Sequence, residues 1–258
     1  MAEQPLHGMR VLVTRPVHQA RSQIERLHTL GAEAVALPLL EIVPVTEAEH
    51  VAFNAIKSKI LDLDLYTGVI FVSPNAARIG GQWIDAYWPQ LPIGVHWLAI
   101  GAATADSLEA CGIPAHYVNG GYDSEALLCD PLLQQVAEQR FLIMRGEGGR
   151  ELLADTLRAR GAQVDYADLY RRTCPRYSPD LIKRTIFAQG LSAILITSGE
   201  ALSNLLELAG TEPDLLSTEL IVPSQRIAAI AEARGFTRIR IADGPDDTSM
   251  IRALRPAD

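Results

Sequence analysis

The residues best suited to chemistry on a ligand fall in six short turns, each directly after an apolar run. They are Arg15 and Pro16; Ser73, Pro74 and Asn75; Gly101 to Thr104; Arg145 to Arg150; Ser198, Gly199 and Glu200; and Ser224, Gln225 and Arg226. Ser, Thr, Asn and Gly at a strand-to-helix turn leave the first backbone N–H groups of the helix open. The helix dipole makes that end attractive to anions. Such turns with few strong acids among them point to a polyanionic ligand held largely by main chain. Ser73, Ser198 and Ser224 are also the ordinary N-caps of any fold of this kind, so one serine alone decides nothing.

Arg15 and Arg145 follow matching apolar runs. A guanidinium there either clamps a carboxylate or phosphate or forms an ion pair at a domain interface. The segment Arg145-Gly-Glu-Gly-Gly-Arg150 lacks the last glycine of a dinucleotide fingerprint and the Lys-Ser/Thr of a P-loop, which favours an anion-binding turn over a nucleotide site. No GxSxG elbow and no HExxH occur, and His7, His18, His28, His50, His96 and His116 show no metal-ligand spacing. Asp62 and Asp64 read as a solvated helix end, and Trp83 and Trp88 as packing. Cys111, Cys129 and Cys174 are far apart and odd in number, which suggests neither a disulfide framework nor a CxxC redox or zinc site and predicts reduced thiols in or near the core. Neither a metal nor an organic cofactor is expected.

These turns need strands and helices to position them. Short apolar or β-branched runs at 11–14, 34–37, 68–72, 97–100, 141–144, 163–166, 193–197, 219–222 and 238–242 predict strands, separated by helical segments such as 20–30 and 150–160. Gly31 and Gly161 are placed to stop those helices. Strands alternating with helices imply parallel sheets covered on both faces, with ligands beyond the carboxyl ends of the strands.

The pattern also repeats. Val11-Leu-Val-Thr-Arg-Pro16 returns as Phe141-Leu-Ile-Met-Arg-Gly146, Val69-Ile-Phe-Val-Ser-Pro74 as Ile194-Leu-Ile-Thr-Ser-Gly199, and Trp97 to Ile113 as Leu220 to Phe236. A period this long reads as whole domains facing each other across a cleft. Leu37–Pro44 and Ala167–Pro175 are matched, extended and Pro-terminated, as interdomain crossovers would be. Tyr170 falls in the second, where a phenol beside a cleft can donate a proton, orient a leaving group or simply pack.

Bulk properties set the remaining bounds. A chain of 258 residues has room for two domains, and its 48% hydrophobic content fits a soluble globular protein. No apolar run approaches a membrane span and the first ten residues lack a signal-peptide pattern, so a cytoplasmic location without membrane contact is expected. A net charge of −8 with interspersed signs disfavours nucleic acid as a partner.

Taken in order, Val11-Leu-Val-Thr-Arg-Pro16, Phe71-Val-Ser-Pro-Asn-Ala76, Ile100-Gly-Ala-Ala-Thr104, Arg145-Gly-Glu-Gly-Gly-Arg150, Tyr170 and Ile196-Thr-Ser-Gly199 resemble the uroporphyrinogen-III synthase family over essentially the whole chain. The resemblance implies an α/β fold of two flavodoxin-like, parallel-sheet domains joined by a two-stranded crossover linker. One domain would take residues 1–44 and 172–258, the other 45–171, with linkers at about 38–46 and 167–175. It implies a cofactor-independent lyase that closes the linear hydroxymethylbilane, with its eight carboxylates, to uroporphyrinogen III. Loss of the hydroxyl gives an azafulvene cation, ring D attacks through a spirocyclic intermediate, and recombination inverts that ring.

Tyr170 is the expected proton donor or orienter. The candidate substrate contacts are Arg15, Ser73, Asn75, Gly101, Thr104, Arg145, Gly146, Arg150, Ser198, Gly199 and Ser224. Ser224 matches loosely, because the family more often has Thr there. A monomer is expected, with transient contact to the hydroxymethylbilane synthase that supplies the unstable substrate. A two-domain protein that binds an anionic small molecule without transforming it is the alternative.

Overall fold

The structure is a computed structural model that describes residues 4–121, 123–188 and 190–255. In chain order its elements are β1 (Arg10–Val13), α1 (Val17–Thr29), β2 (Glu33–Ala36), β3 (Glu41–Pro44), α2 (His50–Leu61), β4 (Gly68–Phe71), α3 (Pro74–Tyr87), β5 (His96–Ala99) and α4 (Ala102–Glu109). There follow α5 (Ser124–Leu128), β6 (Arg140–Gly146), α6 (Leu152–Ala159), β7 (Gln163–Thr173), α7 (Pro179–Ile182), β8 (Ala193–Leu195) and α8 (Gly199–Ala209). The last are α9 (Pro213–Ser217), β9 (Glu219–Val222), α10 (Gln225–Ala233), β10 (Ile239–Ile241) and α11 (Asp247–Arg252).

Local sequence explains the boundaries. Ala20, Gln23 and Leu27 line the buried face of α1, and Leu153, Ala154 and Leu157 that of α6. Each helix is followed by a glycine in the left-handed region, Gly31 at φ 88° and Gly161 at φ 89°, where a side chain would be strained. Ser73 and Ser198 cap α3 and α8 by accepting from the N–H of Ala76 and Ala201. Ser224 holds the same place before α10 but makes no such bond with its side chain. Asp62 and Asp64 lie at a short 3-10 turn over Leu63–Leu65.

The chain divides into two compact units. One comprises the described residues up to Glu41 together with those from Thr173 onward, and the other Ile42–Arg172. The first contains a sheet of order β10-β9-β8-β1-β2, the second a sheet of order β3-β7-β6-β4-β5. The pairs β1–β2, β1–β8, β8–β9 and β9–β10 are parallel, as are β4–β5, β4–β6 and β6–β7. The orders β2-β1-β8-β9 and β7-β6-β4-β5 correspond when β1 is set beside β6 and β8 beside β4, the pairs that echo in sequence. Each sheet thus joins the opening of one echo to the continuation of the other.

Within each sheet the side chains alternate between two apolar layers, as a strand of period two requires when both faces are covered. In the second unit Val69, Phe71, Leu142 and Met144 face one layer, and Ile70, Phe141 and Ile143 the other. In the first, Leu12, Ile194 and Leu220 oppose Val11, Val13, Leu195 and Ile221. Trp83 belongs to the core, near the rings of Phe53 and Tyr87, and Trp88 donates its indole N–H to the Ile60 carbonyl at 2.6 Å. Among the described residues no helix is long and apolar enough to cross a membrane.

The crossover segments are largely strand, and the expectation for the thiols changes. In the segment 37–44, Glu41–Pro44 forms β3, which pairs with β7. This strand is short and ends in proline, a residue tolerated at a sheet edge. The segment 167–175 is likewise mostly strand, because β7 continues to Thr173. The thiols are not core residues: Cys111 and Cys129 are exposed and Cys174 is partly so. Cys111 follows α4 at a turn, where its sulfur lies over Gly81 of α3, so close that a Cβ on that glycine would meet it at 2.7 Å.

Candidate functional site

At the carboxyl ends of the strands in the second unit lies a cavity of about 330 Å³. Its wall is built by Val72 and Ser73 after β4, Ile100 after β5, Arg145 and Gly146 at the end of β6, and Tyr166, Tyr170 and Arg172 on β7. Ile143 of β6, Gly148, Gly149 and Arg150 of the following turn, Leu153 of α6, and Asp123 and Ser124 at the start of α5 complete the lining. This is where an open α/β sheet places its ligands.

Tyr170 reaches the cavity through an irregularity. The pairing of β6 with β7 shifts between Arg145, opposite Asp168, and Gly146, opposite Tyr170, so that Leu169 is an extra residue on β7. A bulge of this kind turns the following side chain. Leu169 and Tyr170 accordingly pack into the same core layer, where regular alternation would put Tyr170 on the face of Tyr166 and Asp168. Tyr170 is only 3% exposed, and its hydroxyl lies 3.0 Å from Ser73 Oγ, the oxygen that also accepts from the Ala76 N–H at 3.1 Å. The ring packs on Gly146, where a Cβ would come within 2.6 Å of it.

Arg145 is already engaged within its own unit. Its Nε donates to Asp168 at 2.9 Å, its Nη1 to Glu151 at 2.8 Å, and the guanidinium carbon lies 3.6 Å from the ring centre of Tyr166. Burial works against its charge, but the hydrogen bonds and fields of Glu151 and Asp168 more than offset this, and its pKa is raised. The Tyr166 hydroxyl donates to Glu151. Burial, then that bond, pushes the Tyr166 pKa up to about 12, so it stays protonated at neutral pH. The bonds from Tyr166 and Arg145 hold the Glu151 carboxyl below its usual range. Arg150 is more exposed and pairs with Glu125 at 3.3 Å. With Arg145, Arg150 and Arg172 facing Asp123, the lining carries more positive than negative side chains.

The cavity therefore brings together Ser73, Arg145, Gly146, Arg150 and Tyr170 from the predicted set. Asn75 follows Ser73 in the first turn of α3 and is not among the lining residues. Gly101 holds the N-cap position of α4, and Thr104, inside that helix, is 2% exposed. Arg15, Ser198, Gly199 and Ser224 belong to the first unit. There Arg15 pairs with Asp247 at 3.0 Å and donates to the Pro245 carbonyl, so the interface ion pair considered for it is a bond within one unit. Asp123, Ser124, Tyr166 and Arg172 line the cavity without having been foreseen. Tyr166 and Arg172 sit on strand residues rather than in turns, and only the strand's later course shows that they face this side.

Residues 22–252 match the family described as HEM4, uroporphyrinogen-III synthase HemD. The uroporphyrinogen-III synthase of Salmonella typhimurium strain LT2 is 34% identical over 255 residues, covering 96% of this chain and 100% of that protein. That of Escherichia coli strain K12 is 35% identical over 251 residues, again covering 96% and 100%. Among solved structures, a mutant uroporphyrinogen III synthase from the extremely thermophilic bacterium Thermus thermophilus superposes with a TM-score of 0.61 at 20% identity, covering 95% of this chain and 96% of that one. At that identity the last likeness speaks to the fold.

Proposed function

The chain belongs to the uroporphyrinogen-III synthase family, and on that premise we propose that it closes hydroxymethylbilane to uroporphyrinogen III with inversion of ring D and release of water. The observation that carries this reading is the family match across nearly the whole chain, joined to a cavity that collects Ser73, Tyr170, Arg145 and Arg150.

The uncatalysed ring closure yields isomer I, so the enzyme's task is to control conformation and dehydration. A cavity of about 330 Å³ lies at the lower end of the range for small-molecule sites and suits one end of the bilane rather than all four rings. We assign it to the reacting end. Tyr170 gives a proton to the departing hydroxyl as the azafulvene cation forms. Ring D then attacks through its substituted carbon to give the spirocyclic intermediate, which reopens and recombines through the other carbon. Arg150, the glycine turn that precedes it and the N-terminus of α3 meet the acetate and propionate groups, while Arg145, held by Asp168 and Glu151, fixes that turn. Ser198, Gly199, Ser224 and Arg15 offer the same chemistry on the first unit.

The test is the isomer ratio of uroporphyrin, after oxidation and chromatographic separation, when fresh hydroxymethylbilane is incubated with and without the protein. Isomer III formed only with protein bears out the proposal. Isomer I in both samples, with the protein folded, overturns it and leaves binding without chemistry.

A further inference from the structure

We infer that Ser73 is a positioning residue for Tyr170, fixing the phenol's proton toward the cavity through a one-way chain of hydrogen bonds that begins at the N-terminus of α3. The inference rests on the reaction proposed above and adds a residue that controls its first step.

A serine hydroxyl has one proton to give and two lone pairs with which to accept. Ser73 Oγ already accepts from the Ala76 N–H at 3.1 Å, at the positive end of a helix that runs from Pro74 to Tyr87. It also meets the Tyr170 hydroxyl at 3.0 Å, where either oxygen can donate. Accepting a bond makes a hydroxyl a better donor, and the partial positive charge of the helix end opposes concentrating a second acceptor interaction on the same oxygen. The favoured direction is therefore Ala76 N–H to Ser73 O–H to the phenol oxygen. In that arrangement the proton of Tyr170 is not spent on Ser73 and is left for the cavity, which Tyr170 lines. The ring cannot turn away freely, because it rests on the bare backbone of Gly146 and its residue is 3% exposed.

In the reaction the phenol proton passes to the oxygen of the substrate's hydroxymethyl group. The carbon–oxygen bond breaks with its electron pair going to the departing water, and the pyrrole nitrogen's lone pair fills the carbon to give the cation. Ser73, still donating, now stabilises the phenol oxygen that has lost its proton, and the proton released when the macrocycle regains neutrality restores it.

The experiment compares kcat, KM and isomer III fraction for the wild type, Ser73→Ala, Ser73→Thr, Ser73→Asp, Tyr170→Phe and the double variant Ser73→Ala/Tyr170→Phe. Threonine keeps the hydroxyl and the cap. Aspartate keeps the cap, and with it the fold, but cannot donate to the phenol. The expected result is a loss of about tenfold or more in kcat for Ser73→Ala, Ser73→Asp and Tyr170→Phe alike, with Ser73→Thr near wild type. The double variant should be no slower than Tyr170→Phe, since both remove the same donor. Wild-type kcat in Ser73→Asp, a change confined to KM, or a double variant that loses the product of the two single losses overturns the inference while leaving the synthase reading intact. A wild type that forms only isomer I overturns both.

Discussion

A Cβ on Gly146 would lie 2.6 Å from Cε2 of Tyr170 and 2.7 Å from its Cζ, so the glycine backbone forms the floor under the phenol. The two residues face each other in the β6–β7 pairing, immediately past the bulge. Gly146→Ala should therefore push the ring away from Ser73. Overpacking of this kind costs about 1–3 kcal/mol of stability, which a urea unfolding curve will show. In the reaction proposed here kcat should fall at least as far as in Tyr170→Phe while KM changes little. A fall in stability with unaltered turnover would separate the ring's position from the chemistry.

Arg150 offers the complementary case of a side chain that the fold hardly uses. Its pair with Glu125 spans 3.3 Å between two largely exposed groups, and such pairs contribute about 0–1 kcal/mol. Arg150→Ala should leave the unfolding midpoint nearly unchanged and raise KM for the bilane by roughly 3–10-fold, more at low salt than at high, with kcat held. A loss of about 1000-fold in turnover, equivalent to about 4 kcal/mol of barrier, would contradict binding spread over many contacts.

The fold was legible where apolar period and punctuation agree. The runs around Val11, Val69, Phe141 and Ile194 are strands, and the helices before Gly31 and Gly161 end where glycine allows them to. The turns after β4 and β6 likewise border a cavity, as their place directly after apolar runs led one to expect. What could not be read depends on partners distant in sequence. The bulge at Leu169 exists only in the pairing with Gly146, so Tyr170 looked like a linker residue. Arg145 could not be told from an anion clamp until Asp168 and Glu151 were found beside it. Glu41–Pro44 becomes a strand only because β7 is there to pair with it.

His116 and Asp130 form a pair that neither residue's neighbourhood in the chain announces. Nε2 of His116 lies 2.5 Å from Oδ2 of Asp130, whose side chain is 8% exposed, and Oδ1 of Asp130 accepts from the Leu132 N–H at 2.9 Å. Burial pushes the Asp130 pKa up, but the bonds from His116 and Leu132 prevail and it lies below the usual value. A carboxyl lowered in the folded state adds stability above its unfolded pKa, and that stability is lost as pH falls through the lower folded value. His116→Ala should cost about 1–3 kcal/mol near neutral pH, because it strips a partner from a buried carboxylate. The gap between wild type and variant, followed by urea midpoints, should close as pH falls below about 4, where the unfolded carboxyl takes up its proton. A gap independent of pH would show that packing, not charge, links the two residues.

Arg145 sets a different test, because its guanidinium meets three partners at once. It reaches Asp168 through Nε and Glu151 through Nη1 while its guanidinium lies over the ring of Tyr166, whose hydroxyl returns to the same Glu151. A lysine has one compact ammonium and no plane to stack, so Arg145→Lys cannot hold both carboxylates and the ring together. The change should lower stability by about 1–2 kcal/mol and loosen the turn from Gly146 to Arg150, which borders the cavity. Glu151 also loses a bond that lowers its pKa, so the variant should lose stability on acidification at a higher pH than the wild type does. Since Asp168 and Glu151 already occupy the guanidinium, KM should rise less than it does in Arg150→Ala. Parallel urea titrations at several pH values and steady-state kinetics on the same preparations will decide this. A variant of wild-type stability with a KM raised well beyond that of Arg150→Ala would mean that Arg145 leaves its carboxylates for those of the substrate.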